Sequence, residues 1–405
     1  MLLVWGSGLL SDVGTWVQLI VVGSLVARET GSALYTGLTA LALFTPQGVC
    51  APIGGLLADR YDRRKVFVGA LLGQAVATAA LALVLASGVT QPLLLAVIIV
   101  FSSAAGALGQ PAYSAMLPDL VPPEELMAMV SLGIYSWNGG RIIGPILGTI
   151  LVVLVGPSWT VAFNAITFAL MALAVSMLRK SFMPPGTPAE GIRARLREGW
   201  NALEQVPGCR YGIVSIMILN VAVGPFMALI PIYVREIFGG GTAMAGTFSA
   251  LQGAGAIVGG LLFTVLAVRF GRDRMLIVAC TALCTAYIIY ALAPTSVMAG
   301  AAIIWMGAGS ASIFASSMTI VQRDAPDGER GRILSLTQCG MGLCYGLGVL
   351  WISVVGDWSS LRLAFLCACG VAIIGSVTAT RRAPDWREVV EGDTSAAEAK
   401  LAITG

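Results

Sequence analysis

Of 405 residues, 57% are apolar and 11% are charged, whereas roughly a quarter of a soluble domain is charged. With a mean hydropathy of +0.86, most of the surface must face lipid rather than water. This excludes a soluble enzyme or binding module, and the small net charge of +3 gives no reason to expect a nucleic-acid partner.

About 20 mainly apolar residues are needed to cross the hydrocarbon core. In chain order such runs lie at 2–27, 33–57, 65–87, 92–116, 127–155 and 158–178. After a polar break they resume at 210–234, 243–268, 274–293, 296–321, 332–355 and 360–380. The pattern predicts an all-α membrane protein with twelve transmembrane helices in two six-helix bundles, 1–178 and 210–380. A linker, 179–209, joins them, and a polar tail, 381–405, follows and is expected to be disordered. In the linker, Ile192, Leu196, Trp200 and Leu203 recur at helical spacing among Arg193, Arg195 and Arg197. They fit either an amphipathic helix on the membrane surface or a linker helix packed on loops. The first run is too long for a cleavable signal and lacks a basic leader. It starts at Met1, which leaves room for a longer natural N-terminus.

Lys and Arg divide the breaks into two sets. One set holds Arg60, Arg63, Arg64, Lys65, Arg179, Lys180, Arg193, Arg195, Arg197 and Arg210, then Arg269, Arg272, Arg274, Arg323, Arg330, Arg332 and the tail's four cations. The other set holds only Arg28, Arg235 and Arg362. The first set is expected to be cytoplasmic, which places both termini inside a cell membrane.

The halves are related in sequence. At an offset of 209, Gly31, Gly37, Arg60, Arg63 and Lys65 fall on Gly240, Gly246, Arg269, Arg272 and Arg274. At an offset of 204, Pro122, Glu125, Ser131 and Gly144 fall on Pro326, Glu329, Ser335 and Gly348. Matched segments share a membrane side, as a parallel repeat about an axis along the membrane normal requires.

Two segments carry the strongest local signals. Gly55 to Lys65 places Gly55, Asp59, Arg60, Arg63 and Arg64 in the order G-x-x-x-D-R-x-x-R-R between spans two and three. A carboxylate at a helix end beside a basic turn can fix topology, or latch neighbouring elements that part when bundles rock. In span five, Gly140, Gly144 and Gly148 recur every fourth residue, with Pro145 in mid-helix and Arg141 beside Gly140. Small residues at that spacing let helices approach closely, and the proline frees a carbonyl and permits a bend.

The first segment resembles the signature loop of the major facilitator superfamily, with Asp62 where the general pattern has glycine and Val268 replacing the acid in the second-half copy. Gly140–Gly148 resembles that superfamily's antiporter motif, with Thr149 replacing its last glycine. Together with Gln110-Pro111-Ala112, Leu117–Leu126, Asn138–Gly148 and Arg323–Arg332 they look like the drug:proton antiporter branch that includes the enterobactin exporter and macrolide efflux proteins. The resemblance implies alternating access, a monomer, and a cavity lined by spans one, four, seven and ten.

Charged residues inside spans are costly, about 2.5–3.5 kcal/mol each on insertion scales. Asp12 and Arg141 are the two that stand clearly within runs. With no histidine in the chain, proton handling falls to carboxylates. Burial favours the neutral form of a carboxyl and a nearby cation the charged form. Asp12 is therefore a candidate proton-coupling residue with Arg141 as its gate; a static pair orienting two helices is the alternative. Ser11, Thr15, Trp16, Gln18, Gln110, Tyr113, Asn138 and Asn220 are candidate cavity residues, although Ser and Thr often bond their own backbone. A mostly apolar cavity with one acid and one base suits a neutral or singly cationic amphipathic compound.

No G-x-x-x-x-G-K-[ST], metal cluster or nucleophile elbow occurs, so no cofactor, metal or catalytic residue is expected. The eight cysteines form no CxxC pair and read as small apolar residues. The expected partners are a small-molecule substrate, protons as coupling ion, and membrane lipid. Export by secondary active transport is the leading reading. Metabolite uptake, uncoupled facilitation or lysolipid flipping on the same fold stays open, and a non-transporting receptor lacks the soluble appendage it would need.

Overall fold

In a computed structural model, the structure describes residues 2–178, 182, 191, 197, 199–201, 203, 204, 206–222, 224–270, 272–326 and 329–382. The chain forms α1 (Leu2–Thr30), α2 (Ala33–Arg60), α3 (Arg63–Ala86), α4 (Pro92–Leu120) and α5 (Leu126–Ser176). Then follow α6 (Pro207–Ala222), α7 (Pro225–Phe238), α8 (Thr242–Phe270), α9 (Arg272–Leu292), α10 (Ser296–Asp324), α11 (Arg330–Trp358) and α12 (Leu361–Arg382).

Among the described residues, eleven helical segments are long and apolar enough to cross a membrane. One of them, Tyr135–Ser176, has 42 residues, about twice what a bilayer needs at ~1.5 Å per residue. Gly156 divides it, at φ 81° and ψ 170°, a backbone conformation open to glycine and costly for other residues. The result is twelve spans. The Gly156-Pro157 break was legible in the sequence; a second Gly-Pro break was not. Run 210–234, read as one helix, is interrupted between α6 and α7 before Gly224-Pro225. The backbone freed there is bonded: Gly224 N donates to Leu219 O at 2.9 Å, and the Trp351 indole donates to Val221 O at 3.1 Å. Buried backbone groups must find such partners.

Within the first half, α1 packs along α5, and α2 and α3 along α4; within the second, α8 and α9 pack along α10. Two seams join the halves, α2 against α11 and α5 against α8. Glycine makes equivalent contacts in both. Gly37 of α2 lies under Ser353 and Val349 of α11, while its repeat counterpart Gly246 of α8 lies under Thr149 and Pro145 of α5. Gly144 presses α5 onto α1 at Trp16 and Val13, and its counterpart Gly348 presses α11 onto the α6–α7 break at Val221 and Pro225. The repeat read from sequence offsets is thus a repeat of contacts.

The linker residues Ile192, Arg193, Arg195 and Leu196 and the tail 383–405 lie outside the described residues. Trp200 and Leu203 are helical and point to different surroundings. Leu203 is buried with Cys209, Ile213 and Val321 of the second half, whereas Trp200 is exposed and donates to Glu204 at 2.8 Å.

The α8–α10 contact is close enough for glycine alone. A Cβ at Gly307 would overlap the Gln252 carbonyl, whereas one at Gly69 on α3 would meet nothing. Gly307→Ala is expected to lower stability by about 1–3 kcal/mol, read as a lower melting temperature in detergent. Gly69→Ala should be neutral or slightly stabilising, by up to about 1 kcal/mol.

Candidate functional site: a polar seam between the halves

Glycines every fourth residue place α5 directly on α1. A Cβ at Gly140 would stand 3.0 Å from the Asp12 carbonyl carbon, one at Gly144 2.9 Å from Val13 O, and one at Gly148 3.1 Å from Ile20 Cγ2. Span five therefore runs backbone to backbone along the stretch of α1 that carries Asp12 and Trp16. Its other face meets α8, where Gly253 lies against Ile142 and the Arg141 carbonyl, and Gly246 against the Pro145 carbonyl. Proline offers no N–H, which leaves the Arg141 carbonyl without its usual helical donor. Thr149, the departure from the antiporter pattern, donates to Pro145 O at 2.9 Å.

This wedge sets out the two intramembrane charges. The Ser136 hydroxyl donates to Asp12 Oδ2 at 2.6 Å, one turn before Gly140. Arg141 Nε donates to Gln252 Oε1 of α8 at 2.8 Å, and its guanidinium carbon lies 6.0 Å from the Trp16 ring centroid. Asp12 and Arg141 form no ion pair among the described residues, so the alternative of a static pair is not what this state shows. The acid is held within the first half, and the base ties the first half to the second. Gln252 is 1% exposed. Neither Ser136 nor Gln252 was picked out from the sequence. A lone glutamine amid Gly246, Gly253, Gly255 and Gly259 is the one trace of it in the sequence, too weak to name a partner.

Trp16 sits at the centre. Its ring meets Trp137 at 5.3 Å between centroids, and its Nε1–H is buried without an acceptor. It lines a small cavity between the halves with Thr39, Pro145, Met227, Pro231 and Ser249. The cavity is mostly apolar, with Thr39 and Ser249 the polar side chains in its wall besides Trp16.

The remaining sequence candidates divide. Thr15 donates to Ser11 O at 3.0 Å, with Ser11 buried, and Asn220 donates to Ile216 O at 2.8 Å, so both bond their own helix. Gln18 is corrected: it accepts from Asn164 Nδ2 at 2.7 Å in a buried network with Thr167, inside the first half and away from the cavity. Tyr113 stacks on Phe67 at 4.9 Å, Gln110 is exposed and Asn138 is half-buried near the seam.

The loop Gly55–Lys65 is a staple within the first half. Asp62, in the glycine position of the general pattern, caps α3 by accepting from Arg64 N at 2.9 Å and Lys65 N at 3.3 Å, the usual role of an N-cap acid. Arg63 Nη1 donates to Ala115 O of α4 at 3.0 Å and stands 3.9 Å from Asp119, and its Nε reaches Ala58 O at 3.4 Å. Arg64 donates to Leu178 O at the end of α5. Gly55 and Asp59 are half-buried and Arg60 is exposed. In this state the Arg63 and Arg64 contacts bind α2, α4 and α5 of one bundle to one another rather than bundle to bundle.

Both seams close the same end. The α2–α11 contacts run from Ser32 and Asp357 to Gly48 and Cys339, and the α5–α8 contacts from Thr149 and Gly246 to Ile142 and Gly253. The α5–α8 contacts thus run from mid-span toward the face that holds Arg28, Arg235 and Arg362, and the α2–α11 contacts run from that face to a little past mid-span.

Twelve spans in two related halves, with a polar seam and small cavity between them, define a membrane transporter. The Major Facilitator Superfamily profile matches residues 4–349, and the chain belongs to that family. It is 27% identical to the uncharacterized MFS-type transporter YfiS of Bacillus subtilis (strain 168), over 91% of this chain and 90% of that protein. It is 24% identical to macrolide efflux protein A of Streptococcus pyogenes, over 92% of each. A bacterial homologue of the human lysosomal transporter Spinster, solved inward-facing and unoccupied, has the same fold. It superposes with a TM-score of 0.72 over 96% of this chain and 98% of that one, at 13% identity. The molecule is a multi-pass membrane transporter and not an enzyme.

The Arg141–Gln252 bond predicts a measurable coupling. Removing one partner leaves a buried polar group unanswered, at about 1–3 kcal/mol, whereas removing both costs less. A double-mutant cycle of Arg141→Met and Gln252→Leu, read by thermal melting in detergent, should give an interaction of about 1 kcal/mol or more.

Proposed function

We propose that the protein exports a small amphipathic compound in exchange for protons, working by alternating access as a monomer in the plasma membrane. The Lys/Arg-rich face is cytoplasmic, with both termini on that side. Closed seams on the opposite face then make this the inward-facing state. One observation carries the reading. Asp12, a carboxylate inside the membrane, lies on the same α1–α5 contact as Trp16 and Arg141, and Arg141 holds the second half through Gln252. A carboxylate in a span is retained at a cost and marks an ion path by default. When the halves rock, the Arg141–Gln252 bond between them must break or change partner. Arg141 lies on the helix that packs against Asp12, so a new partner for Arg141 is the route by which the access state would reach the carboxylate.

Substrate chemistry follows from Trp16. Its indole N–H asks for an acceptor, and the cavity around it is apolar. A neutral or singly cationic compound presenting a carbonyl or ether oxygen matches this chemistry, and a polyanion does not, since Arg141 is the one cation beside Trp16 among the described residues. The likeness to macrolide efflux protein A supports export of such a compound.

Everted vesicles bearing the protein should accumulate a macrolide when their interior is acid. Asp12→Asn should abolish this proton-driven accumulation, and Asp12→Glu should retain part of it. Undiminished pH-driven accumulation in Asp12→Asn would sink the coupling role, and loss of accumulated compound on acidification would reverse the direction.

A further inference from the structure

The turn between α1 and α2 is gripped from both sides by charges of the second half. On one side, the Asp357 carboxylate, in the last turn of α11, accepts from Ser32 Oγ at 2.6 Å, Ala33 N at 2.6 Å and Leu34 N at 3.1 Å. It caps the first turn of α2, where N–H groups have no helical acceptor and the helix end is positive. On the other side, Arg235, in the last turn of α7, donates to Ala27 O near the C-terminus of α1. That end of the helix is negative, and Ala27 O accepts from Arg235 in addition to Gly31 N at 3.0 Å. Gly31, at φ 62°, gives the guanidinium room, since a Cβ there would stand 3.1 Å from Arg235 Nη1.

Asp357 gains little from its own helix. An acid in the last turn of a helix opposes the negative end of the dipole, so its favourable partner is α2 in the other half. The repeat does not demand it either. At the offset of 204 the equivalent position on α5 is Val153, which is 78% exposed. One seam of the pair carries the charge and the other does not. Below the cap, the α2–α11 seam is dry: Thr36, Ala40, Val349, Ile352 and Ser353 are each 0% exposed.

We infer that Asp357 and Arg235 form a latch that holds the Lys/Arg-poor face shut by clamping the α1–α2 turn, and so set the balance between the two access states. The inference rests on the alternating-access reading above. The latch is built from exposed and half-buried contacts at the end of the spans, where charge interactions are weaker than in the core. That suits an element that must open and close in every cycle rather than one that fixes the fold.

Hydrogen–deuterium exchange of the purified full chain tests it without any substrate, so a failed transport assay and a failed latch can be told apart. Asp357→Asn keeps the shape and removes the charge; Arg235→Gln acts at the other contact. Each should raise exchange by about fivefold or more, the effect expected for a lost cap. The rise should extend along both walls of the seam, in peptides covering 36–45 of α2 and 345–356 of α11. Arg235→Gln supplies the reading if Asp357→Asn fails to fold. A rise confined to residues 33–35 would make Asp357 a local cap only and overturn the latch. Unchanged exchange in both variants would overturn it too.

Discussion

The backbone of α5 rests on the backbone of α1, and the functional region is a consequence of that contact. Gly140, Gly144 and Gly148 present no side chain, so the two helices meet at the level of Asp12, Val13, Trp16 and Ile20. On the opposite face the same helix meets Gly246 and Gly253 of α8. A single span thus touches the acid-bearing helix of one half and the main partner helix of the other. With bulkier residues at these positions the helices would separate by an ångström or more. Ser136 would then lose its reach to Asp12, and Arg141 its reach to Gln252.

Lipid gives this arrangement its energetic sense. Apolar surface supplies little drive for one helix to choose another inside a bilayer, so close packing and a few hydrogen bonds decide the partners. Close packing here is made by glycines, and it recurs at equivalent positions of the two halves, Gly37 with Gly246 and Gly144 with Gly348. The hydrogen bonds are fewer and unequal. Asp12 is bonded inside its own bundle, Arg141 across the seam, and the Lys/Arg-poor end is fastened by Asp357 and Arg235. The contacts Arg63 and Arg64 make, by contrast, stiffen one bundle. The two faces are therefore held by different means, and a rocking motion has contacts to lose at one end while each bundle stays intact.

Much of this could be read in the chain. Apolar runs locate the spans to within a few residues, and Gly156-Pro157 marks a break because Ser158 and Thr160 follow it. Gly224-Pro225 is the same dipeptide inside an apolar run, and hydropathy passes over it. Asp12 and Arg141 stand out as charges in lipid, but their partners do not. Ser136 and Gln252 acquire meaning only from the helix they face, which is set by three-dimensional packing. Gln18 shows the converse. Its spacing from Ser11 groups it with cavity candidates, yet that face of α1 turns toward Asn164 and Thr167. Asp357 at the end of a span looks like any loop acid until α2 is placed beside it.

Exchange of a compound for protons at Asp12 is the central claim, and the proton itself is the most direct thing to measure. Purified protein in weakly buffered detergent, mixed with a macrolide, should acidify the solution as the compound binds and the carboxyl gives up its proton. Asp12→Asn should still bind the compound, by calorimetry or intrinsic tryptophan fluorescence, with no acidification. Equal acidification by the wild-type protein and Asp12→Asn, or binding by the wild-type protein with no proton release, would contradict exchange at this residue.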